Sequence, residues 1–168
     1  MSRPLGCAGR VRGFTLVELV VILIVVGILA VAAIPHFFDN AFSERGFHDG
    51  VKTAILHARK VAVASRRYVC VVVAANGVTL SMDATLPDNN ANAVNCNPVV
   101  NLPVPQPNCP ANQVCAPAGV VLAGANGVIF DPLGRPVAAN KAVLAVATTI
   151  NVTNQPGIVV NADSGWVQ

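Results

Sequence analysis

"GFTLVELVVILIVVGILAVAAIP", which runs from Gly13 to Pro35, decides how the N-terminal part of this 168-residue chain folds. After Gly13 the stretch is almost wholly apolar, and Thr15 and Glu18 are the exceptions. As a helix, residues 14–34 would be about 31 Å long at ~1.5 Å per residue, which is close to the hydrocarbon thickness of a bilayer. The stretch therefore predicts a membrane-spanning helix with one carboxylate near its start.

Charge on either side of this stretch predicts its orientation. Arg3, Arg10 and Arg12 precede it, and the next arginine or lysine is Arg45. The positive-inside rule then keeps the N-terminus in the cytoplasm and exports the rest of the chain. Without residues 1–13 the chain has equal numbers of basic and acidic side chains, so its net charge of +3 does not indicate nucleic acid binding.

The carboxylate of Glu18 needs an explanation. A charged side chain costs about 2.5–3.5 kcal/mol at the centre of a spanning helix, and less near an end. Glu18 lies four residues after Phe14, on the same helical face. Cleavage after Gly13 would create a positive α-amine on Phe14, and in an assembly the amine of a neighbouring chain would neutralise Glu18.

The sequence Gly13-Phe14-Thr15-Leu16-Val17-Glu18 followed by an apolar helix resembles the class III signal of type IV pilins and type II secretion pseudopilins. The resemblance implies that a prepilin peptidase cuts after Gly13 and methylates Phe14, and that Glu18 serves in assembly. Pro35 would be the twenty-second residue of the cleaved chain and would kink the helix. The apolar run would be kept as the core helix of a filament, in contact with other pilin subunits.

Other interpretations of the N-terminus remain open. Ala30-Val31-Ala32 fits a secretory signal peptide cut after Ala32, and the run also fits a plain single-pass anchor; both leave Glu18 unexplained. Cys7 is a poor lipoprotein signal, since no apolar stretch precedes it. Pro35 has a simpler interpretation too, as the residue that ends the helix.

Residues 36–67 predict an amphipathic helix that reaches about Arg66. Apolar and small side chains recur there at helical spacing: Phe47, Val51, Ala54, Ile55, Ala58, Ala62 and Ser65. We expect this stripe to pack on a sheet. We also expect an irregular stretch over 40–46, with Ser43 capping the part that follows.

Residues 68–168 predict a β-rich head of five to seven strands, which gives an α+β fold with a long N-terminal helix on an antiparallel sheet. Asn76-Gly77 and Asn126-Gly127 are hairpin signals, and Pro132-Leu133-Gly134 indicates a further turn. Residues 84–119 contain seven of the twelve prolines and three of the five cysteines. This segment predicts a long loop without core strands.

Four cysteines remain if residues 1–13 are removed, and they allow three disulfide connectivities. We favour Cys109–Cys115 as a local clip, and Cys70–Cys96 as the link between the loop and the first strand. A zinc site is the alternative to the two disulfides, but the C-x2-C spacing typical of zinc sites is missing from the sequence. We expect neither metal nor cofactor.

The sequence does not predict an enzyme. The histidines are His36, His48 and His57, and no nucleophile elbow, zinc-protease motif or phosphate loop accompanies them. We therefore expect no catalytic residues and no small-molecule substrate. Arg59, Lys60, Arg66 and Arg67 cluster next to Tyr68 and would suit single-stranded nucleic acid, but a solvated helix end is the favoured interpretation.

The chain resembles the GspH/FimT group of minor pilins, above all the MshC-like prepilins of mannose-sensitive haemagglutinin (MSHA) pili. Three features carry this resemblance: the sequence of the second helix, "FDPLGRP" at 130–136 and the final G-x-V strand. This resemblance implies a low-abundance structural subunit that helps to initiate a pilus. It would reside in the bacterial inner membrane with its head in the periplasm before assembly. A GspH-type pseudopilin of type II secretion, and a tip adhesin or DNA-uptake pilin, are the alternatives.

Overall fold

The computed structural model describes residues 14–33, 40–87, 93–124 and 126–168. The chain divides into two units, residues 1–38 and residues 39–168. The first contains helix α1, Leu16–Ala33, and the second is a head with helix α2, Asn40–Ser65, and nine strands among its described residues. The α+β architecture predicted from the sequence is confirmed.

Helix α1 is apolar on every side. Residues 14–30 are all exposed, and Glu18 is the one charged residue among them. Within the described ranges, however, no helix is both long and apolar enough to cross a membrane, so the predicted span over 14–34 is not confirmed.

Helix α2 buries the predicted stripe. Six of its members are at most 3% exposed, and they are Phe47, Val51, Ala54, Ile55, Ala58 and Ala62. The expected irregular stretch over 40–46 is wrong, because α2 is continuous from Asn40, and Ser43 therefore does not cap it. Gly46 is accommodated within the helix, and the buried Glu44 and Phe47 on either side of it anchor this first part of α2 to the head.

The larger sheet is antiparallel and has the order β3-β2-β1-β6-β7, with β4 also paired to β2. Its strands are β1 Val69–Ala74, β2 Gly77–Asp83, β3 Cys96–Val99, β4 Gln113–Cys115, β6 Gly127–Phe130 and β7 Pro136–Val137. Side chains on alternate residues of these strands, such as Val69, Val71 and Phe130, join the stripe of α2 in one hydrophobic core.

The smaller sheet has the order β5-β8-β9, with β5 Leu122–Gly124, β8 Thr148–Val152 and β9 Ile158–Val160. Its buried residues, including Ile150, Ile158 and Val160, belong to the same core as the larger sheet. The C-terminus is tied to it by reciprocal backbone hydrogen bonds of 3.0 Å between Val159 and Gln168.

One of the two predicted Asn-Gly hairpins forms. Strands β1 and β2 pair, but the turn is Ala75-Asn76, and Gly77 already pairs with Ala74. Asn126-Gly127 does not join a hairpin, because β5 pairs with β8 and β6 pairs with β1. The chain changes sheets there, and a Cβ on Gly127 would lie 2.1 Å from the carbonyl oxygen of Val71.

We predict that Gly127→Ala destabilises the head by about 2–4 kcal/mol, because φ is +146° and the added methyl group meets backbone that cannot move aside. Gly46→Ala is the matched control: it meets nothing within 4 Å inside a helix, and should stabilise by up to about 1 kcal/mol. Thermal unfolding of the full chain in detergent, followed by circular dichroism, measures both. Equal melting temperatures would contradict this account of the crossover.

Candidate functional site

The start of α1 has a side-chain cap. The backbone N–H of Glu18 donates to Oγ1 of Thr15 at 3.2 Å, so Thr15 is the N-cap residue and Glu18 occupies the third helical position. Thr-x-x-Glu is the pattern of a capping box. This role of Thr15 was not predicted, although the pattern is visible in the sequence.

The cap places Phe14 outside the helix, where its side chain is 74% exposed. A negative charge in the first turn is also favourable for the helix dipole, by about 0.3–1 kcal/mol. Glu18 therefore has a local structural role that does not need a neighbouring chain. Gly13 and Pro35 lie outside the described residues, so cleavage and the kink remain predictions.

The side chains of α1 form an exposed apolar surface. Over residues 14–30 they are aliphatic or aromatic apart from Gly27, Thr15 and Glu18, and every large apolar one is at least 43% exposed. A helix that is apolar all round is stable in water only when something buries it. This surface suits lipid chains or other apolar helices.

The cysteine-rich segment, residues 84–119, is a folded part of the head over its described residues 84–87 and 93–119. Disulfides join Cys70 to Cys96 and Cys109 to Cys115, each with a Cα–Cα distance of 6.1 Å. The prediction of a loop without core strands is wrong, because β3 and β4 lie within residues 84–119 and both pair with β2.

This segment also contributes to the core, where Val100, Leu102 and Val114 are buried. Pro98 is accommodated because β3 is an edge strand. Composition alone did not reveal this, since short edge strands tolerate the prolines and asparagines that central strands exclude.

Asp83 organises the beginning of the segment. Its side chain is 1% exposed and accepts hydrogen bonds from the backbone and hydroxyl of Thr85, at 2.8 and 2.6 Å, and from the backbone of Asn95 at 3.0 Å. Burial alone would raise the pKa of Asp83, but these hydrogen bonds and the charge of Lys141 outweigh it and hold the pKa below the usual 3.8. Asp83 is thus an ionised structural residue.

Part of the predicted basic cluster makes hydrogen bonds within the head. Arg59 donates through Nε to the carbonyl oxygen of Gly134 at 3.1 Å and through Nη2 to that of Ser164 at 2.9 Å. Arg67 donates to the carbonyl oxygen of Ala84, and Lys141 lies 5.5 Å from the ring centre of Tyr68. Two of the four predicted cations therefore hold turns in place.

The described histidines make separate contacts. His57 donates through Nε2 to the carbonyl oxygen of Asn101 at 3.2 Å, and His48 contacts the carboxylate of Asp49. Within the described part of the chain, no group of three histidine, cysteine or acidic side chains could hold a metal ion.

The described residues combine a capped apolar helix that carries one glutamate with a disulfide-linked β head. Residues 9–34 match the family model described as the prokaryotic N-terminal methylation motif. The type IV narrow pilus major component PilA5 of Thermus thermophilus is 30% identical over 93 residues, which cover 52% of this chain and 80% of that protein. No solved structure matches. The chain belongs to the type IV pilin family.

We predict that Asp83→Asn lowers stability at pH 7 by about 1–3 kcal/mol, since a neutral amide accepts these hydrogen bonds less strongly. Because the folded pKa is depressed, the contribution of Asp83 is present above its unfolded pKa and is lost as the pH falls through the folded value, below 3.8. The variant should therefore lose less stability on acidification than the wild type. Melting temperatures at pH 7 and pH 3 test this, with the exposed Asp163→Asn as control; parallel curves for Asp83→Asn and wild type would contradict it.

Proposed function

We propose that the chain is a structural subunit of a type IV pilus-like filament, anchored through its N-terminal helix before assembly and packed through the same helix afterwards. The observation that carries the proposal is the apolar circumference of α1, which is exposed over residues 14–30. Lipid chains before assembly and helices of other pilins after it would both bury that surface. The relative from Thermus thermophilus is a pilus component, which supports a structural role for this chain.

The processing step that we propose is cleavage after Gly13 by a prepilin peptidase, followed by methylation of Phe14. The match to the methylation motif over residues 9–34 includes both residues. Cleavage removes the three leader arginines and leaves the new amine next to the capped first turn of α1. The apolar helix is retained because the cut precedes it.

For Glu18 we propose two roles. Within its own chain it lies in the capped first turn, where its charge is favourable for the helix dipole. In the filament its carboxylate pairs with the Phe14 amine of a neighbouring subunit, and the low dielectric constant of the packed helices strengthens that attraction. Glu18 would then set the register between subunits.

A more specific proposal concerns the position of this chain in the filament. From the resemblance to MshC-like prepilins we propose a minor subunit that helps to initiate an MSHA-like pilus, in the inner membrane with its head in the periplasm before assembly. A GspH-type pseudopilin of type II secretion and a tip adhesin or DNA-uptake pilin are the other candidates. The relative from Thermus thermophilus is a major component of a pilus, which favours a pilus over a secretion system.

We expect the mature protein from native cells to begin at N-methyl-Phe14 and to be four hydrogens lighter than its reduced form. Gly13→Ala should leave the chain uncut, because the peptidase would no longer find its glycine. Intact mass and N-terminal peptide mapping without reduction measure both. A chain that begins at Ala33 would mean ordinary secretion, and a wild-type chain that keeps residues 1–13 would remove the processing step.

Glu18→Gln should be processed normally but reach sheared filaments at least about tenfold less than wild type, because glutamine keeps the capping pattern and loses the charge. Thr15→Val is the matched control: it removes the cap and keeps Glu18. Immunoblots of sheared and membrane fractions report the result. If Glu18→Gln assembles like wild type while Thr15→Val does not, the cap rather than the charge governs assembly.

A further inference from the structure

An open groove lies on the head between α2 and the cysteine-rich segment. Its volume is about 310 Å³, its wall is formed mainly by Ala54, Leu102 and Val114, and Asp49 and Thr53 lie at its polar rim. The side chain of Asp49 is 79% exposed. The volume is at the lower end of the range for small-molecule sites, about 300–1,000 Å³, and suits one large side chain.

An exposed apolar surface lies elsewhere on the same head. It consists of Val63, Leu133 and Trp166, which are 47%, 69% and 59% exposed; we call it the tryptophan surface. Trp166 and Leu133 are the chain neighbours of Gly165 and Gly134, whose backbones are in contact: a Cβ on Gly165 would lie 2.0 Å from the carbonyl oxygen of Gly134.

The backbone under the tryptophan surface is rigidly connected. Arg59 holds both turns through the carbonyl oxygens of Gly134 and Ser164, and a methyl group of Val63 lies beside Gly134. Three segments that are far apart in sequence thus present apolar side chains from a fixed base. Exposed aromatic side chains on a rigid base are typical of the residues that dominate protein interfaces.

The groove and the tryptophan surface complement each other. Lys60 and Arg66 are exposed and lie three residues before and after Val63, and α2 has no acidic residue after Asp49. The groove offers the carboxylate of Asp49 and the hydroxyl of Thr53, whereas the tryptophan surface offers an ammonium group and an indole N–H donor. A second pair of charges has the opposite arrangement. Here the basic residue, Lys52, is close in sequence to the groove, and the acidic residue, Asp163, is close in sequence to the tryptophan surface.

We propose that the groove of one copy of this chain binds the tryptophan surface of a second copy, with Trp166 as the inserted side chain and Lys60 facing Asp49. The two surfaces cannot meet within one head, because Asp49 and Lys60 are separated by roughly 16 Å along α2. The contact joins different surfaces on its two partners, so it is heterologous and leaves one groove and one tryptophan surface of the pair free. This inference rests on the proposed function, and it adds a contact between heads to the contact between N-terminal helices.

The test joins the two surfaces covalently in cells that produce the full chain. One copy carries Val104→Cys at the rim of the groove, where Val104 is 80% exposed, and the other carries Leu133→Cys, which leaves Trp166 in place for insertion. An added oxidant, copper phenanthroline, removes one hydrogen from each thiol to form the disulfide. We expect a dimer, in membranes or in sheared filaments, whose non-reducing digest contains the peptide that joins the two introduced cysteines.

The matched control replaces Leu133→Cys by Val146→Cys, which changes another strongly exposed residue (76%) outside both surfaces. Its dimer yield should be at least about tenfold lower. Lys60→Glu in the Leu133→Cys copy should reduce cross-linking about fivefold, and Asp49→Lys in the other copy should restore it. Equal yields for both cysteine pairs, or no dimer in either fraction, would overturn the inference.

The outcomes separate this inference from the proposed function. Cysteine variants that reach sheared filaments without cross-linking leave the pilus function intact and remove the head contact. Wild type that never reaches filaments removes the function, while the membrane fraction still tests the contact. If a single-stranded oligonucleotide binds the full chain in detergent through Trp166, and no dimer forms, the tryptophan surface belongs to nucleic acid and the inference is wrong.

Discussion

The burial of one stripe of α2 is the interaction on which the rest of the head depends. Val51, Ile55, Ala58 and Ala62 have no exposed surface, and strands of both sheets complete the core around them. Small side chains along the stripe let the sheet approach the helix closely. The flanks of α2 then hold the surrounding turns, through Glu44 to Asn154, His57 to Asn101 and Arg59 to two carbonyl groups.

The sequence predicts those parts of the fold that follow from periodic patterns. The stripe of α2 and the strands β1 and β2 on either side of Asn76-Gly77 are predictable because apolar side chains recur at the helical period or form β-branched runs. The turn after Asp131 was visible too, because proline and glycine limit the backbone to few conformations. The backbone of Gly134 donates to the carbonyl of Asp131 at 2.8 Å, as that turn requires.

Long-range partners were not predictable in the same way. An Asn-Gly pair indicates that the chain can turn, but it does not say whether the flanking strands pair with each other, and at Gly127 they do not. The strands of the cysteine-rich segment depend on β2 as a template and have little β propensity of their own. At the candidate site, the charge of Glu18 identifies it within an apolar run, whereas the cap by Thr15 is a local hydrogen bond to the backbone of Glu18 that does not depend on that charge.

The hydrogen bonds from the flanks of α2 to the rest of the head have a mechanical consequence. In the proposed filament, load enters each head at the start of α2, because α2 follows the N-terminal helix along the chain. The hydrogen bonds of Glu44, His57 and Arg59 lie at the start and in the second half of α2 and reach different parts of the head, so a pull along α2 loads them together. Shearing the head apart would require several of them to break together, and resistance to traction is set by this slow unfolding step more than by equilibrium stability.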